Sequence, residues 1–235
     1  MRTCWTRLVL LFSFLCFALV SSADANSNCA SCNSSSGQPE FADKLRSIRN
    51  TITYQTNINQ MFTSSALLNF SERCENFVGE EGLGKWGMAI INEMHRERFD
   101  ALYNGTNDLI EICPGFKTLD DESKELVWVM IVNAMVHLES SCNNNEVARG
   151  PNGAVVGLLQ LHQNREHRYS EGCNRGDART DSGSLSCGLS MLNKQLQYDE
   201  ALFSRKSYWD VLRPQARSRK YLKVKESVQN LTFCR

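Results

Sequence analysis

Residues 126–140 read Leu-Val-Trp-Val-Met-Ile-Val-Asn-Ala-Met-Val-His-Leu-Glu-Ser, and this stretch decides the fold. Leu126–Leu138 is apolar on nearly every side when it is wound as a helix, which is typical of a helix buried in a protein core. Thr118 or Asp120 can cap the start of that helix. The stretch therefore predicts a buried central helix with a single carboxylate, Glu139, at its end.

Helical spacing of apolar residues continues on both sides of this helix. It predicts further helices over Phe41–Phe62, Leu67–Val78, Met88–Tyr103 and Leu185–Leu196. Loop residues predict connections at Gly79–Gly87, Asn143–Gly153 and Arg165–Ser184. Few segments alternate with a period of two, and runs of β-branched residues are short. The chain is therefore predicted to be mostly α.

The first 25 residues have the pattern of an export signal. Arg2 and Arg7 give a positive start, Leu8–Val20 is almost wholly apolar, and Ala23-Asp-Ala25 is a small-x-small cleavage site. The apolar run is shorter than the roughly 20 residues that a membrane anchor needs. We expect a mature chain that starts near Asn26 and is secreted or periplasmic.

The mature chain of about 210 residues is long enough for one domain with an N-terminal extension. The Asn-, Ser- and Gly-rich stretch 26–40 predicts a linker. We assign residues 41–115 to an N-terminal helical region and residues 116–235 to the main domain.

Cysteine usage fits the same compartment. Of the ten cysteines, two fall in the signal, and the remaining eight are Cys29, Cys32, Cys74, Cys113, Cys142, Cys173, Cys187 and Cys234. An even number in an exported chain predicts up to four disulfides, with the connectivity left open. Cys29-Ala-Ser-Cys32 also has the spacing of a redox or zinc pair, but no second pair completes a ligand set.

The formal net charge is zero, because 26 Lys and Arg balance 26 Asp and Glu. The balance is uneven, since residues 72–125 are rich in acids and the C-terminal part is rich in bases. Such a basic end suits either an anionic polymer or an ordinary solvated face. It has no interleaved aromatic residues of the kind that would argue for nucleic acid.

Glu139 is the candidate chemical group. Burial next to an apolar helix raises the pKa of a carboxyl group, and the negative end of a helix acts in the same direction. An apolar loop such as Val155–Leu159 would exclude water and strengthen both effects. A carboxylic acid that stays protonated near neutral pH can give its proton to a leaving group, as glycosidases require. The alternative is an ordinary glutamate at a helix end.

Three short motifs extend this interpretation. They are Glu139-Ser140, Gly157-Leu-Leu-Gln-Leu161 and Ser186-Cys-Gly-Leu-Ser-Met-Leu192. In order and spacing they resemble the lytic transglycosylase and goose-type lysozyme superfamily, over roughly Asp120–Leu196. The resemblance implies a lysozyme-like α fold that cleaves the β-1,4 bond between N-acetylmuramic acid and N-acetylglucosamine in peptidoglycan.

The resemblance also implies roles for single residues. Glu139 would be the general acid, and Ser140 would help to fix the neighbouring loop. Gly157, Leu158 and Gln160 would line the sugar groove. No cofactor and no metal are implied, and the partner would be the glycan strands of peptidoglycan.

The departures from the family pattern are informative. Leu159 replaces the usual methionine, a volume-conserving exchange. The usual Ala-Tyr-Asn-Ala-Gly segment is absent, and Tyr208 is the best substitute for its tyrosine, unless Tyr208 and Trp209 are a core aromatic pair. Extra cysteines indicate a divergent branch pinned by disulfides, whose preferred glycan could be modified, for example deacetylated.

The sequence leaves the reaction type open. With Glu139 alone, the muramic acid 6-hydroxyl would close on the sugar and give a 1,6-anhydro product. An inverting hydrolase needs a second carboxylate roughly 6.5–9.5 Å away to activate water. Asp177 and Asp181 precede the third motif and could serve, although turn formation is the favoured interpretation of both.

Two other classes of function are compatible with the same residues. His137, Glu139, His162 and His167 are a possible metal-ligand set, but His137 and Glu139, two residues apart, point to different faces of a helix. A non-enzymatic alternative is a cell-wall-binding or inhibitor module on the same fold.

Overall fold

A computed structural model describes residues 70–79, 82–97 and 99–235, and most of these residues are helical. Within them, the α-helices α1–α6 span Lys85–Glu97, Asp100–Asn104, Asn107–Ile112, Asp121–Ser140, Asp181–Asp199 and Tyr221–Gln229. The strands β1–β5 are short and span Val78–Gly79, Gly82–Leu83, Val147–Gly150, Gly153–Val156 and Leu161–His162. The predicted mostly α fold class is therefore confirmed.

Helix α4 is the predicted central helix. Residues 126–136 along it are all buried. Of the two predicted caps, Asp120 is the one that acts, since its side chain accepts a hydrogen bond from the backbone N–H of Ser123 at 2.9 Å.

The C-terminal end of α4 closes without a glycine. Ser141 and Cys142 both adopt left-handed backbone conformations, with φ of 52° and 57°. Their backbone N–H groups donate to the carbonyls of His137 and Val136 at 3.0 and 3.4 Å, the paired bonds of a Schellman-type cap. The chain therefore turns sharply away from the helix just after Glu139.

The helices pack around α4. Helices α1, α2 and α6 lie against it, and α1 and α2 also pack against α5. The indole N–H of Trp128 in α4 donates to the carbonyl of Leu102 in α2 at 2.8 Å inside this core. Buried residues on both sides of position 115 belong to one hydrophobic core, so the predicted boundary between residues 115 and 116 does not separate two cores.

Three disulfides connect distant parts of this fold. They join Cys74 to Cys142, Cys113 to Cys234, and Cys173 to Cys187, across 68, 121 and 14 residues. Bridges across long stretches restrict the unfolded chain most, so the first two are expected to stabilise most. Disulfides of this number are typical of exported proteins.

A small antiparallel sheet corrects the predicted loop at Asn143–Gly153. Strands β3 and β4 form a hairpin in which Val147 pairs with Val156, and β5 pairs with β4 through Val156 and Leu161. Most of β3 and the start of β4 are exposed. Because neither face of the hairpin packs into the core, its sequence lacks the alternation that marks a half-buried strand.

Other predicted boundaries are also corrected. The described part of Leu67–Val78 is a 3₁₀ turn over Glu72–Asn76 followed by β1, and Met88–Tyr103 is two helices, since Phe99 between them is non-helical. Helix α5 begins at Asp181, inside the predicted loop. Helices α3 and α6 are too short for a clear apolar period and were not predicted.

The predicted signal, the linker, the Phe41–Phe62 helix and the Cys29/Cys32 pair lie outside the described residues. Among the helices that are described, none has the length and apolar character needed to cross a membrane.

Candidate active site

Glu139 lies at the last turn of α4, with its side chain partly buried. Burial raises the pKa of this carboxyl group from 4.5 to about 7. No hydrogen bond or ion pair joins it to any residue in the described part of the chain. Near neutral pH a substantial fraction of Glu139 is therefore the protonated acid, as the sequence predicted.

Three charged side chains from the C-terminal part of the chain act on Glu139. Lys220 and Arg213 lower its pKa, and the carboxylate of Asp210 raises it, all by less than burial does. The Lys220 ammonium also donates to the carbonyl of Leu138 at 3.0 Å, so it is fixed at the end of α4. Sequence reasoning missed these three as site residues.

Asp210 is the second carboxylate of the site. It is exposed, it starts a 3₁₀ turn directly after Trp209, and it accepts a hydrogen bond from the Ser218 hydroxyl at 2.9 Å. Its position directly after the Tyr208-Trp209 pair was the only sequence signal that could have drawn attention to it.

The two acids considered from sequence are engaged elsewhere. Asp177 accepts the backbone N–H of Asn174 at 2.6 Å, which is turn formation. Asp181 accepts the indole N–H of Trp86 at 2.7 Å and the amide of Asn144 at 2.9 Å. These contacts favour the structural interpretation of both carboxylates.

The Gly157–Gln160 loop is held from inside. Gly157 has φ of +76°, and a Cβ there would collide with the carbonyl oxygen of Ala178, so only glycine fits. The amide of Gln160 turns back and donates to the carbonyls of Gly157 and Glu146 at 2.9 and 3.1 Å. The polar function of Gln160 is thus partly spent on bracing its own loop.

Leu158 and Gln160 are corrected as groove-lining side chains. Leu158 is fully buried, and Gln160 is only 6% exposed. Both side chains therefore point into the fold, and they set the shape of the loop. A surface that the loop offers to a sugar would have to come from its backbone.

The second and third motifs meet in the core. Gly188 of α5 leaves room for Leu159, whose side chain a Cβ at position 188 would strike. The indole N–H of Trp209 donates to the Leu159 carbonyl at 2.8 Å. The glycine in the third motif is thus explained by packing against the second motif.

Ser140 does not fix the neighbouring loop through its hydroxyl. It is buried, and its Oγ donates to the Val136 carbonyl at 3.1 Å, one turn back in α4. This bond satisfies the hydroxyl within its own helix, so the predicted bridge to the loop is corrected.

Tyr208 is anchored to β5. Its hydroxyl accepts the backbone N–H of His162 at 2.9 Å, donates to the Gln160 carbonyl at 3.2 Å, and lies 2.8 Å from His162 Nδ1. The Tyr169 hydroxyl lies 2.9 Å from the same nitrogen. Burial raises the pKa of Tyr208 and lowers the pKa of His162. The cluster is neutral and rigid.

Tyr208 is half-buried beside the site, and the charge of Glu139 contributes to raising its pKa. Trp209, next in sequence, is 2% exposed and belongs to the core. The structure thus divides the predicted pair: Trp209 packs in the interior, and Tyr208 stands between the interior and Glu139.

The possible metal-ligand set is not assembled. His137 faces the Cys74–Cys142 disulfide, with Nδ1 3.9 Å from the Cys74 sulfur, whereas His162 faces its two tyrosines. Across residues 70–79, 82–97 and 99–235, no three His, Cys, Asp or Glu side chains are grouped so that they could hold a metal ion.

Neither a known family of sequences nor a curated protein matches the chain. Solved structures that resemble it include Bd0314 DslA in its wild-type form 2 and a glutamate-to-glutamine mutant of DslA. Each is 21% identical to this chain, with a TM-score of 0.56, and the match covers 64% of this chain and 91% of that one. At this identity the likeness shows a shared fold alone, and the lysozyme superfamily stays a prediction.

Proposed function

We propose that this protein is an exported glycosidase that cleaves the β-1,4 bond between N-acetylmuramic acid and N-acetylglucosamine, with Glu139 as the general acid. The observation that supports the proposal is the pKa of about 7 that burial gives to this carboxyl group. A general acid works best when its pKa lies near the working pH, because it is then both protonated and able to release the proton.

In the proposed first step, Glu139 donates its proton to the glycosidic oxygen as the bond to the sugar carbon breaks. The resulting carboxylate is stabilised by the cations of Lys220 and Arg213, both of which favour the ionised form of Glu139. The same cations would hinder protonation if they were closer or more numerous. Burial outweighs them in the free protein, so the acid starts protonated.

Two second steps are compatible with the site. In one, the Glu139 carboxylate takes a proton from the muramic acid 6-hydroxyl, which closes on the sugar as a 1,6-anhydro product. In the other, Asp210 positions a water molecule for hydrolysis, replacing Asp177 and Asp181 as the candidate partner. The distance between the two carboxyl groups sets the stereochemistry of a hydrolase.

Substrate contacts are assigned within the same proposal. Tyr208 presents a half-buried ring beside Glu139, and its hydroxyl is held by β5, so the ring can form one wall of a groove. The backbone of Gly157 and its neighbours would form another part of that wall. The glycan may be acetylated or deacetylated in nature, and the assay therefore includes both.

Glu139→Gln is the direct test, because the exchange keeps the shape of the side chain and removes its proton donor. Wall-clearing zymography should show clearing by the wild type and none by the variant, with circular dichroism confirming that the variant is folded. Glu200→Gln is the matched control, since Glu200 is an exposed glutamate at the end of α5. Clearing that survives Glu139→Gln would remove Glu139 from the mechanism.

Mass spectrometry of the released sugars decides the reaction type. Anhydro ends support the route with Glu139 alone, whereas reducing ends that disappear in Asp210→Asn support hydrolysis with Asp210. Parallel digests of acetylated and N-deacetylated glycan measure the preference. A wild-type protein that binds the wall and releases nothing would favour the alternative, a binding or inhibitor module.

A further inference from the structure

The segment Ser204–Lys220, here called the basic loop, differs in charge from the rest of the molecule. Its cations are Arg205, Lys206, Arg213, Arg217, Arg219 and Lys220, and its single acid is Asp210. The loop therefore has a net charge of +5, within a chain whose formal net charge is zero.

The basic loop has a defined shape. The Arg213 guanidinium donates to the carbonyls of Ser207 and Tyr208 at 2.7 and 3.2 Å, and the Gln215 amide donates to the Arg205 carbonyl at 3.0 Å. These bonds close the segment on itself. Its outward cations therefore start from a fixed backbone, which lowers the entropy lost when they bind.

Four cations of the loop are exposed and have no anionic partner in the described part of the chain: Arg205, Lys206, Arg217 and Arg219. Cations elsewhere are paired. Arg96, for example, holds Glu93 through two hydrogen bonds, and Lys223 lies 3.1 Å from Glu226. The loop thus keeps its charge available for something outside the chain.

The basic loop also borders Glu139. Lys220 at one end of the loop donates to the carbonyl of Leu138, the residue before Glu139 in α4. Asp210 and Arg213, in the middle of the loop, both act electrostatically on the Glu139 carboxyl group. A polymer that reaches Glu139 must therefore pass beside these cations.

We propose that the basic loop binds carboxylate groups carried by the polymer that Glu139 cleaves, namely the free carboxylates of the peptide arms next to the scissile bond. The inference rests on the proposed function for the identity of the polymer. Three of the four unpaired cations are arginines, whose planar guanidinium matches a carboxylate with two parallel hydrogen bonds. Complementary charge also steers the polymer toward the site and fixes its register.

The test measures binding, so that it does not depend on cleavage. The probe is purified peptidoglycan free of phosphate polymers, either with its peptide arms intact or after an amidase has removed them. Proteins carry Glu139→Gln so that the glycan stays whole. Arg205→Glu/Arg217→Glu reverses two charges of the loop, and Lys117→Glu/Lys124→Glu makes the same net change near the start of α4, roughly 25–30 Å from Glu139 by helix length.

At 20 mM NaCl we expect glycan with intact arms to bind about tenfold more tightly than stripped glycan, the combined effect of a few exposed ion pairs. The difference should shrink at 200 mM NaCl, because salt screens exposed charges. It should vanish in Arg205→Glu/Arg217→Glu and persist in the Lys117/Lys124 control.

Equal binding to intact and stripped glycan would overturn the proposal, and so would an equal loss in both double variants, which would show a response to net charge alone. Failure of the proposed function is a separate result. In that case wild-type protein would not cleave the glycan, whatever the binding of the loop to its peptide arms.

Discussion

Helix α4 carries a glutamate near each end, and the two ends treat that residue in opposite ways. Glu125, near the start, is fully buried and held by partners: His95 Nε2 lies 2.8 Å away, and the Tyr103 hydroxyl donates to it at 2.5 Å. Glu139, at the other end, is only partly buried, and no hydrogen bond or ion pair from the described residues reaches it.

The contrast shows that burial alone does not define a candidate acid. A buried carboxyl group with hydrogen-bond partners stabilises the fold, because removing either partner leaves a buried polar group unsatisfied. A carboxyl group that is desolvated without partners has its pKa raised and keeps a proton to give. We therefore assign Glu125 to structure and Glu139 to chemistry.

The largest expected effect is on catalysis. Glu139→Gln should lower kcat by about 10²–10⁴-fold, the usual contribution of a general acid, while the thermal midpoint at pH 7 does not fall. Kinetics on soluble glycan fragments and a thermal melt check both parts. A variant that loses activity only because it unfolds would contradict the assignment.

The reciprocal change should act on stability. Glu125→Gln weakens a buried hydrogen-bonded cluster and should lower the free energy of unfolding by about 3 kcal/mol, measured by urea denaturation. Activity per folded molecule should stay within about twofold, since no bond joins this cluster to Glu139. A large loss of kcat in the folded variant would mean that the two ends of α4 are coupled.

The pH profile should respond to the neighbours of Glu139. The acid is protonated below its pKa of about 7, so kcat/KM should fall as pH rises above that value. Asp210→Asn removes a charge that raises the pKa, so this limb should move to lower pH. Lys220→Gln removes a charge that lowers the pKa, so the limb should move to higher pH. Shifts in the same direction would contradict the assigned arrangement.

The smallest effect concerns the stability of the wild type itself. The folded pKa of Glu139 is about 7, against 4.5 for the ordinary group, so the folded state binds more protons between these values and loses stability as pH rises. Allowing for partial exposure, ionised Glu139 should cost about 1–2 kcal/mol at pH 8. Urea denaturation should find Glu139→Gln more stable than wild type at pH 8 and equal to it at pH 4.

The predictable part of the fold lies where one pattern dominates. Leu126–Leu138 is apolar on every side, so α4 and its capping by Asp120 follow from local rules. The hairpin of β3 and β4 did not follow, because exposed strands lack an alternating pattern. Helix α6 was missed since only a few of its residues, such as Val224 and Val228, reach the core.

The site was predictable only in its centre. The raised pKa of Glu139 depends on its own helix, which the sequence reveals. Lys220 and Asp210 come from a segment without periodicity, and Lys220 meets Leu138 across 82 residues of sequence. Contacts of that range are set by the packing of the whole core, which one sequence read locally does not contain.

Cys142 follows Glu139 by three residues and is joined to Cys74. The carboxyl group is therefore fixed from two directions, by the helix before it and by a covalent bond just after it. A reducing environment would release the second restraint and let the last turn of α4 fray. Full competence of this site is thus tied to oxidation, so that a newly made chain would remain harmless to its producer until it leaves the reducing interior of the cell.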